Sequence, residues 1–297
     1  MKDGFIIKFA RLLPDKLYLS LKFFKEFGRF PHWNNPQTFN EKIQWLKIYD
    51  RKPEEYTTMV DKYAAKQYVA AKIGVEYVIP TFGIWDRPED IEWDKLPDQF
   101  VLKTTHGGGS TGVIVCRDKA NFDKTDAIRK LNESLRTDLY VVWREWPYKN
   151  VSKRVIAEKY IEPDKGTNDL TDYKWYCFNG IPKYCQVIQN RSTEETIDFF
   201  DAKWNHQEFI GLNPCATMAA NEPACPSDLD GQIRIATILS KGLCFSRIDL
   251  YSIAGRTYFG EITFYPNSGM GRFTPAEWNK RLGDLLKLPS NEDSICS

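Results

Sequence analysis

Nine residues at 104–112, Thr-Thr-His-Gly-Gly-Gly-Ser-Thr-Gly, separate the apolar run Phe100-Val101-Leu102, ending in Lys103, from a second run, Val113-Ile114-Val115. A glycine-rich loop between two strands is a hairpin whose successive backbone N–H groups, unobstructed by Cβ atoms, suit closure over a polyphosphate. Lys103 would supply a point charge at its root. Gly107, Gly109 and Gly112 spell G-x-G-x-x-G, but dinucleotide binding by that motif needs a helix N-terminus directly after the glycines. Here a strand follows. No G-K-[ST] closes the loop and neither H-R-D nor D-F-G occurs, which excludes a Walker loop and a protein-kinase fold. An ordinary flexible hairpin accounts equally well for the loop taken alone.

A second group of chemically capable residues lies on two strands read at 245–251 and 257–264. Alternation puts Arg247, Asp249 and Tyr251 on one face of the first strand, and Phe259, Glu261 and Thr263 on one face of the second. A three-residue turn, Ile253-Ala254-Gly255, would set Ser252 opposite Arg256 and Arg247 opposite Glu261. That register gathers Arg247, Asp249, Glu261 and Thr263 on one surface, with hard oxygen ligands suited to Mg²⁺ beside a fixed cation. A plain cross-strand salt-bridge cluster fits the same residues. The polar loop Asn267-Ser268-Gly269 that follows is where a substrate-binding turn would sit. Asp172 and Lys174 share a strand face, and Glu158-Lys159 close an apolar strand at 154–161.

Composition limits the partners. At 297 residues, 42% hydrophobic and 27% charged, the chain is a folded protein of about two domains. Its 41 basic and 40 acidic residues give a net charge of +1, too little for a general nucleic-acid field. Three histidines and seven cysteines without C-x-x-C spacing leave little material for zinc or a histidine triad, and reduced thiols are expected. No apolar run reaches the ~18 residues of a membrane span, and Lys8 and Arg11 interrupt 5–13 where a signal peptide would be apolar. A cytoplasmic protein is expected. The stretch 5–27 reads as basic amphipathic helices broken at Pro14. A packed helical cap is the plainer reading, and a face for the membrane or an anionic glycan the sharper one.

The positioning elements follow from spacing. Thr38 and Glu41 make a capping box opening a helix that ends at Lys52-Pro53. A helix over 61–74 carries Val60, Ala64, Tyr68 and Ala71 on one face and stops at Gly74. A polar stretch precedes Phe100, a helix spans about 119–139, and Trp143, Trp146 and Tyr148 mark a loop whose aromatics could stack on sugar rings or pack in the core. Strands at 173–178 and 182–188 flank the Asn179-Gly180 turn, and Ser227 caps a helix closed by Gly242. Mixed helices and mainly antiparallel strands give an α+β fold.

Taken in order, these pieces resemble the ATP-grasp superfamily, and the chain looks like its TupA-like branch, named for teichuronopeptide biosynthesis. The carriers are DKYAAKQYVAAKIGVEYVIPT at 61–81, FVLKTTHGGGSTGVIV at 100–115, VIAEKYI at 155–161, DYK at 172–174, RIDLY at 247–251 and GEITFYPNSGM at 260–270. The resemblance implies an ATP-grasp fold of two α+β subdomains clasping ATP, at 61–160 and 161–290, behind a helical region at 1–60. It implies phosphate contacts for Lys62, Lys103, Gly108, Gly109 and Ser110, and adenine contacts for Glu158, Lys159 and Ile161. Asp172 falls at the ribose and Lys174 near the γ-phosphate. Asp249, Glu261 and Thr263 fall at Mg²⁺, Arg247 at the oxyanion, and Asn267, Ser268 and Gly269 at the substrate. Thr263 departs from the asparagine common at its position in the superfamily.

The implied activity is a carboxylate–amine ligase: Mg²⁺-ATP phosphorylates a carboxylate, and an amine attacks the acyl phosphate to give an amide and ADP. A uronic acid of a surface polysaccharide joined to an amino acid is the expected product. A glycan kinase, a glycosyltransferase and a non-catalytic nucleotide-binding protein are the rival readings.

Overall fold

The computed structural model describes residues 12–107, 112–164, 169–212 and 216–289. The chain forms two compact units, a larger one from Met1–Lys52, Val141–Glu145 and Pro163–Ser297, and a smaller one from Pro53–Tyr140 and Trp146–Glu162. In the larger unit, helix α1 (Asp15–Phe27) starts after Pro14 and stops at Gly28, whose φ of 72° lets its N–H reach Phe24 O. Helix α2 (Phe39–Tyr49) opens on the expected capping box between Thr38 and Glu41. It ends at Asp50.

The smaller unit begins with α3 (Pro53–Val60), a helix absent from the sequence reading, in which Pro53 opens rather than merely ends a helix. Helix α4 (Ala64–Ile73) restarts after Asp61, whose Oδ1 accepts the N–H groups of Tyr63 at 2.8 Å and Ala64 at 3.1 Å. The restart shifts the helical phase, so α4 buries Ala65 and Val69 and not the expected Ala64 and Tyr68. Four antiparallel strands, β1 (Thr81–Trp85), β2 (Phe100–Thr104), β3 (Val113–Cys116) and β4 (Val155–Lys159), lie in the order β1-β4-β2-β3. β1 lies in the stretch before Phe100 that the sequence marks only as polar. Helix α5 (Lys124–Leu135), shorter than the expected 119–139 and capped by Asp123, contributes Ala127 and Leu131 to a core with Phe100, Leu102, Val155 and Ala157. A short helix α6 (Leu139–Trp143) leads into 141–145.

The larger unit's sheet holds β5 (Asp172–Phe178), β6 (Ile181–Gln189), β7 (Thr196–Asp201) and β8 (His206–Gln207), with β9 (Ile210–Gly211) outside it. After α7 (Leu229–Ser240) come β10 (Phe245–Ile253) and β11 (Arg256–Thr263), giving the order β11-β10-β5-β6-β7-β8. β12 (Phe273–Thr274) pairs with β9, and α8 (Trp278–Leu285) ends the described fold. Asn179 and Gly180, at φ 48° and 78°, form the expected tight turn between β5 and β6. The N-cap of α7 is Asp228, not Ser227; its carboxylate is held by Ser252 Oγ at 2.7 Å and Thr257 Oγ1 at 2.6 Å. One face of the central strands rests on α7, where Trp175 Nε1 donates to Gln232 at 3.0 Å. The other carries the polar groups described next, and at its edge Phe39 of α2 packs on Phe178 and Phe245.

Candidate active site

The polar face is assembled by register. β5 pairs with β10 so that Lys174 opposes Asp249, and β10 pairs with β11 so that Asp249 opposes Glu261. Lys174, Asp249 and Glu261 therefore form a row across three strands. Tyr176, Arg247 and Thr263 form the next row. Arg247 thus stands opposite Thr263 and not, as expected, opposite Glu261. The turn has two residues, Ala254 and Gly255, both with positive φ, and one extra residue, Gly260, bulges from β11 between Glu261 and Phe259. The bulge also parts Phe259 from Glu261: Phe259 opposes Leu250 on the apolar face with Ile248 and Ile262, all buried.

Arg247 Nε and Nη2 each reach Asp249 at 2.7 Å, and Nη2 also meets Thr263 Oγ1 at 3.2 Å and Glu261 Oε1 at 3.5 Å. Lys174 bonds the Asp249 carboxylate and lies 3.3 Å from Asp172, which Arg191 Nε holds at 2.7 Å. Three cations and three carboxylates thus alternate through a chain that is buried at Asp172, Lys174 and Asp249 and open at its ends, Glu261 and Arg191. Burial works against the Arg247 charge, but Asp249 beside it more than compensates, so the guanidinium remains a fixed cation.

Beside this cluster, residues 266–269 form a tight turn in which Asn267, Ser268 and Gly269 all have positive φ, at 44°, 54° and 63°. Two non-glycine residues in that region need outside support. Helix α2 supplies it through Asn40, Gln44 and Lys47, at i, i+4 and i+7 and all fully buried. Asn40 donates to Gly269 O and Gly271 O, both at 2.9 Å, and Gln44 to Ser268 O at 2.9 Å. Lys47 Nζ reaches Ser268 O at 2.8 Å, Ser268 Oγ at 2.5 Å and Trp143 O at 3.0 Å, which uses all three ammonium donors. Ser268 also hydrogen-bonds Glu145, a carboxyl raised above its ordinary range by burial, with Lys47 opposing the rise. Burial pushes Lys47 down, and Glu145 opposes that shift.

The smaller unit has its own charged centre. Glu158 of β4 is 3% exposed and forms ion pairs with Lys66 of α4 at 2.5 Å and Lys103 of β2 at 2.6 Å. Burial alone would raise the Glu158 carboxyl; Lys103 and Lys66 hold it at about 2. The two lysines are brought together by one shared carboxylate. The backbone N–H of Lys62 donates to Thr105 O at 2.9 Å, tying the start of α4 to the residue that leaves β2. Lys159 projects to the opposite side of β4 from Glu158, into an open depression lined also by Phe82, Gln99, Arg117 and Tyr160. Ile161 lies two residues beyond β4. β2 and β3 pair antiparallel with Lys103 opposite Val113, as a hairpin requires. Gly108, Gly109 and Ser110 lie outside the described residues.

A hairpin rooted at Lys103, followed in chain order by Glu158, Asp172, Lys174, Arg247, Asp249 and Glu261, is matched by a family model described as TupA-like ATPgrasp over residues 41–287. The chain belongs to that family. No curated protein matches it. Among solved structures it is similar to the D-alanine–D-alanine ligase from Bacillus anthracis complexed with ATP, at 18% identity, covering 70% of this chain and 54% of that one, with a TM-score of 0.39. For the Helicobacter pylori D-alanine–D-alanine ligase the figures are 15%, 84%, 69% and 0.44. For the ATP-grasp ligase PsnB complexed with a phosphomimetic variant of minimal precursor, Mg and ADP, they are 12%, 83%, 65% and 0.41. The chain thus spans about half of the first of these proteins.

In this TupA-like chain the larger unit collects Arg247, Asp249, Glu261, Thr263, Lys174 and Asp172 on one sheet face, with the Asn267–Gly269 turn held separately by α2. Lys66, Lys47, Glu145 and Arg191 were missed by sequence reasoning. Lys66 had a local signal, since it stands four residues after Lys62 in the stretch read as one helix over 61–74. The other three had none, because their partners lie far away along the chain. Among the described residues no three or more Asp, Glu, His or Cys side chains gather as a metal cage. Two carboxylates and a hydroxyl nevertheless suit Mg²⁺, which takes one or two carboxylates and completes its shell with water and phosphate. Asp249 would exchange a contact with Arg247 or Lys174 to join such a shell, whereas the Glu261 side chain is already 29% exposed.

Proposed function

We propose that the protein is an ATP-dependent carboxylate–amine ligase that forms an amide through an acyl phosphate and releases ADP. The observation that carries this reading is the row Lys174, Asp249 and Glu261 with Arg247 locked beside it, because it sets fixed cations next to hard oxygen ligands. Mg²⁺, held by Asp249, Glu261 and Thr263, would neutralise phosphate charge. Lys174 meets the γ-phosphate, and Arg247 stabilises the oxyanion that forms when the amine attacks. In the smaller unit Lys103, Lys62 and the loop of Gly108, Gly109 and Ser110 bind phosphates, while Glu158 and Ile161 meet adenine; the Lys159 side chain, expected at the base, projects to the other side of β4 and does not join them. Asp172 receives the ribose. Asn267, Ser268 and Gly269 receive the acceptor, for which a uronic-acid carboxylate of a surface polysaccharide, joined to an amino acid, is our choice.

Hydroxylamine trapping tests the chemistry directly. Purified protein, Mg²⁺-ATP, hydroxylamine and a panel of uronic and amino acids should yield a hydroxamate and ADP for one carboxylate. ATP binding without hydroxamate across the panel, or release of AMP, would remove the ligase reading.

A further inference from the structure

Helix α1 uses only one side for packing. Leu19 and Phe23 are fully buried, Tyr18 donates to Val142 O at 2.8 Å, and Lys22 lies 3.6 Å from the centre of the Trp143 ring. On the other side Leu17, Leu21 and Phe24, at i, i+4 and i+7, are 48%, 47% and 47% exposed. Beyond Gly28 the stripe continues with Phe30, 55% exposed, whose ring stacks on Phe24 at 4.8 Å. Large apolar side chains gathered on one exposed face mark a contact surface rather than ordinary scatter.

The charges around the stripe indicate its occupant. At about 100° per residue, Lys25 projects to one side of the Leu17–Leu21–Phe24 line and Lys16 to the other; both are exposed, and Lys16 Nζ, which donates to Tyr49 Oη at 3.0 Å, would exchange that contact for a lipid phosphate. The first thirty residues hold seven basic side chains against three acidic ones, in a chain whose net charge is only +1. The excess positive charge is thus concentrated at the end that carries the apolar stripe, and the remainder of the chain is net acidic. An apolar centre with lysines at its borders matches the acyl boundary and phosphate layer of an anionic bilayer. Among the described residues no helix is long and apolar enough to cross a membrane, so the contact is peripheral.

We propose that α1 docks this protein on an anionic lipid surface, with Leu17, Leu21, Phe24 and Phe30 at the acyl boundary and Lys16 and Lys25 on lipid phosphates. The inference does not depend on the ligase chemistry. The test is flotation of the full chain with phosphatidylcholine vesicles, alone or with about a third phosphatidylglycerol, at low and high salt. Binding should be at least about tenfold tighter to the anionic vesicles and weaken with salt. The triple variant Leu17→Ser, Leu21→Ser, Phe24→Ser should lose it while keeping the wild-type melting temperature; Leu17→Ser alone, a single exposed change, should weaken it if the triple variant does not fold. Four results would overturn the proposal: no binding, equal binding to neutral vesicles, binding unaffected by the serine variants, or binding only after deletion of residues 1–11, which would make that segment the occupant. Self-association in place of lipid binding, abolished by the same substitutions, would assign the stripe to a second copy.

Discussion

Asp249 and Glu261 face each other across β10 and β11 because Gly260 bulges out between them and the two-residue turn. With that turn alone, Asp249 would stand opposite Gly260, and Glu261 and Thr263 would point into the apolar side with Ile248. One extra residue reverses the alternation and returns both to the polar face. The position needs glycine for space: a Cβ there would lie 3.0 Å from Asp249 O and 3.2 Å from the Tyr251 ring.

Gly260→Val should therefore disorder the site more than the fold. Overpacking of this kind costs about 1–3 kcal/mol, visible as a lower melting temperature, while ATP turnover should fall by about a hundredfold or more. A folded variant with wild-type turnover would show that the bulge does not position Glu261.

Arg247→Lys tests whether a charge alone suffices. Lysine keeps the charge but cannot make the paired contacts of Nε and Nη2 with Asp249. Turnover should drop about 10²- to 10³-fold with nucleotide affinity nearly retained. Glu261→Ala, at a partly exposed side chain, should abolish turnover without lowering the melting temperature.

Glu158→Gln leaves Lys66 and Lys103 facing one uncharged amide. Removing one partner of a buried ionic cluster costs about 3–5 kcal/mol, measurable by urea unfolding at neutral pH. The native carboxyl sits at about 2 against an ordinary value of 4.5. Its stabilisation is complete above 4.5 and lost as pH falls towards 2. The variant's stability should be flatter than wild type across that acid window, and parallel curves would refute the pairing.

Lys47→Met removes a buried cation whose folded-state pKa lies below the ordinary 10.5. Between those two values the unfolded chain binds more protons, so this lysine makes wild-type stability rise with pH over that interval. The methionine variant should lose that part of the rise. It should also weaken acceptor use more than ATP binding, because the Ser268 turn loses two of its hydrogen bonds.

Much of the scaffold was legible along the chain. The Thr38–Glu41 capping box and the Asn179-Gly180 turn are encoded within four residues, and the strands at 100–104, 113–116, 245–253 and 256–263 by runs of alternating or continuous apolar residues. The break at Asp61 was not, since the amphipathic pattern runs across it while the Asp61 side chain caps α4. β1 was hidden because its residues are only partly buried and carry no clear period.

Sequence by itself determined which residue types could meet a phosphate, a cation and an oxyanion, and the order in which they occur, because motif spacing and strand alternation are local properties. Tertiary structure decided which of them touch. Lys66 and Lys103 share Glu158 only when α4 and β2 meet β4, and Lys174 reaches Asp249 only when β5 pairs with β10. Lys47 reads as an ordinary helix-surface lysine until α2 covers the sheet edge and buries it on Ser268. Each of these contacts spans tens to hundreds of residues, and burial makes their charges depend on partners that no short window contains.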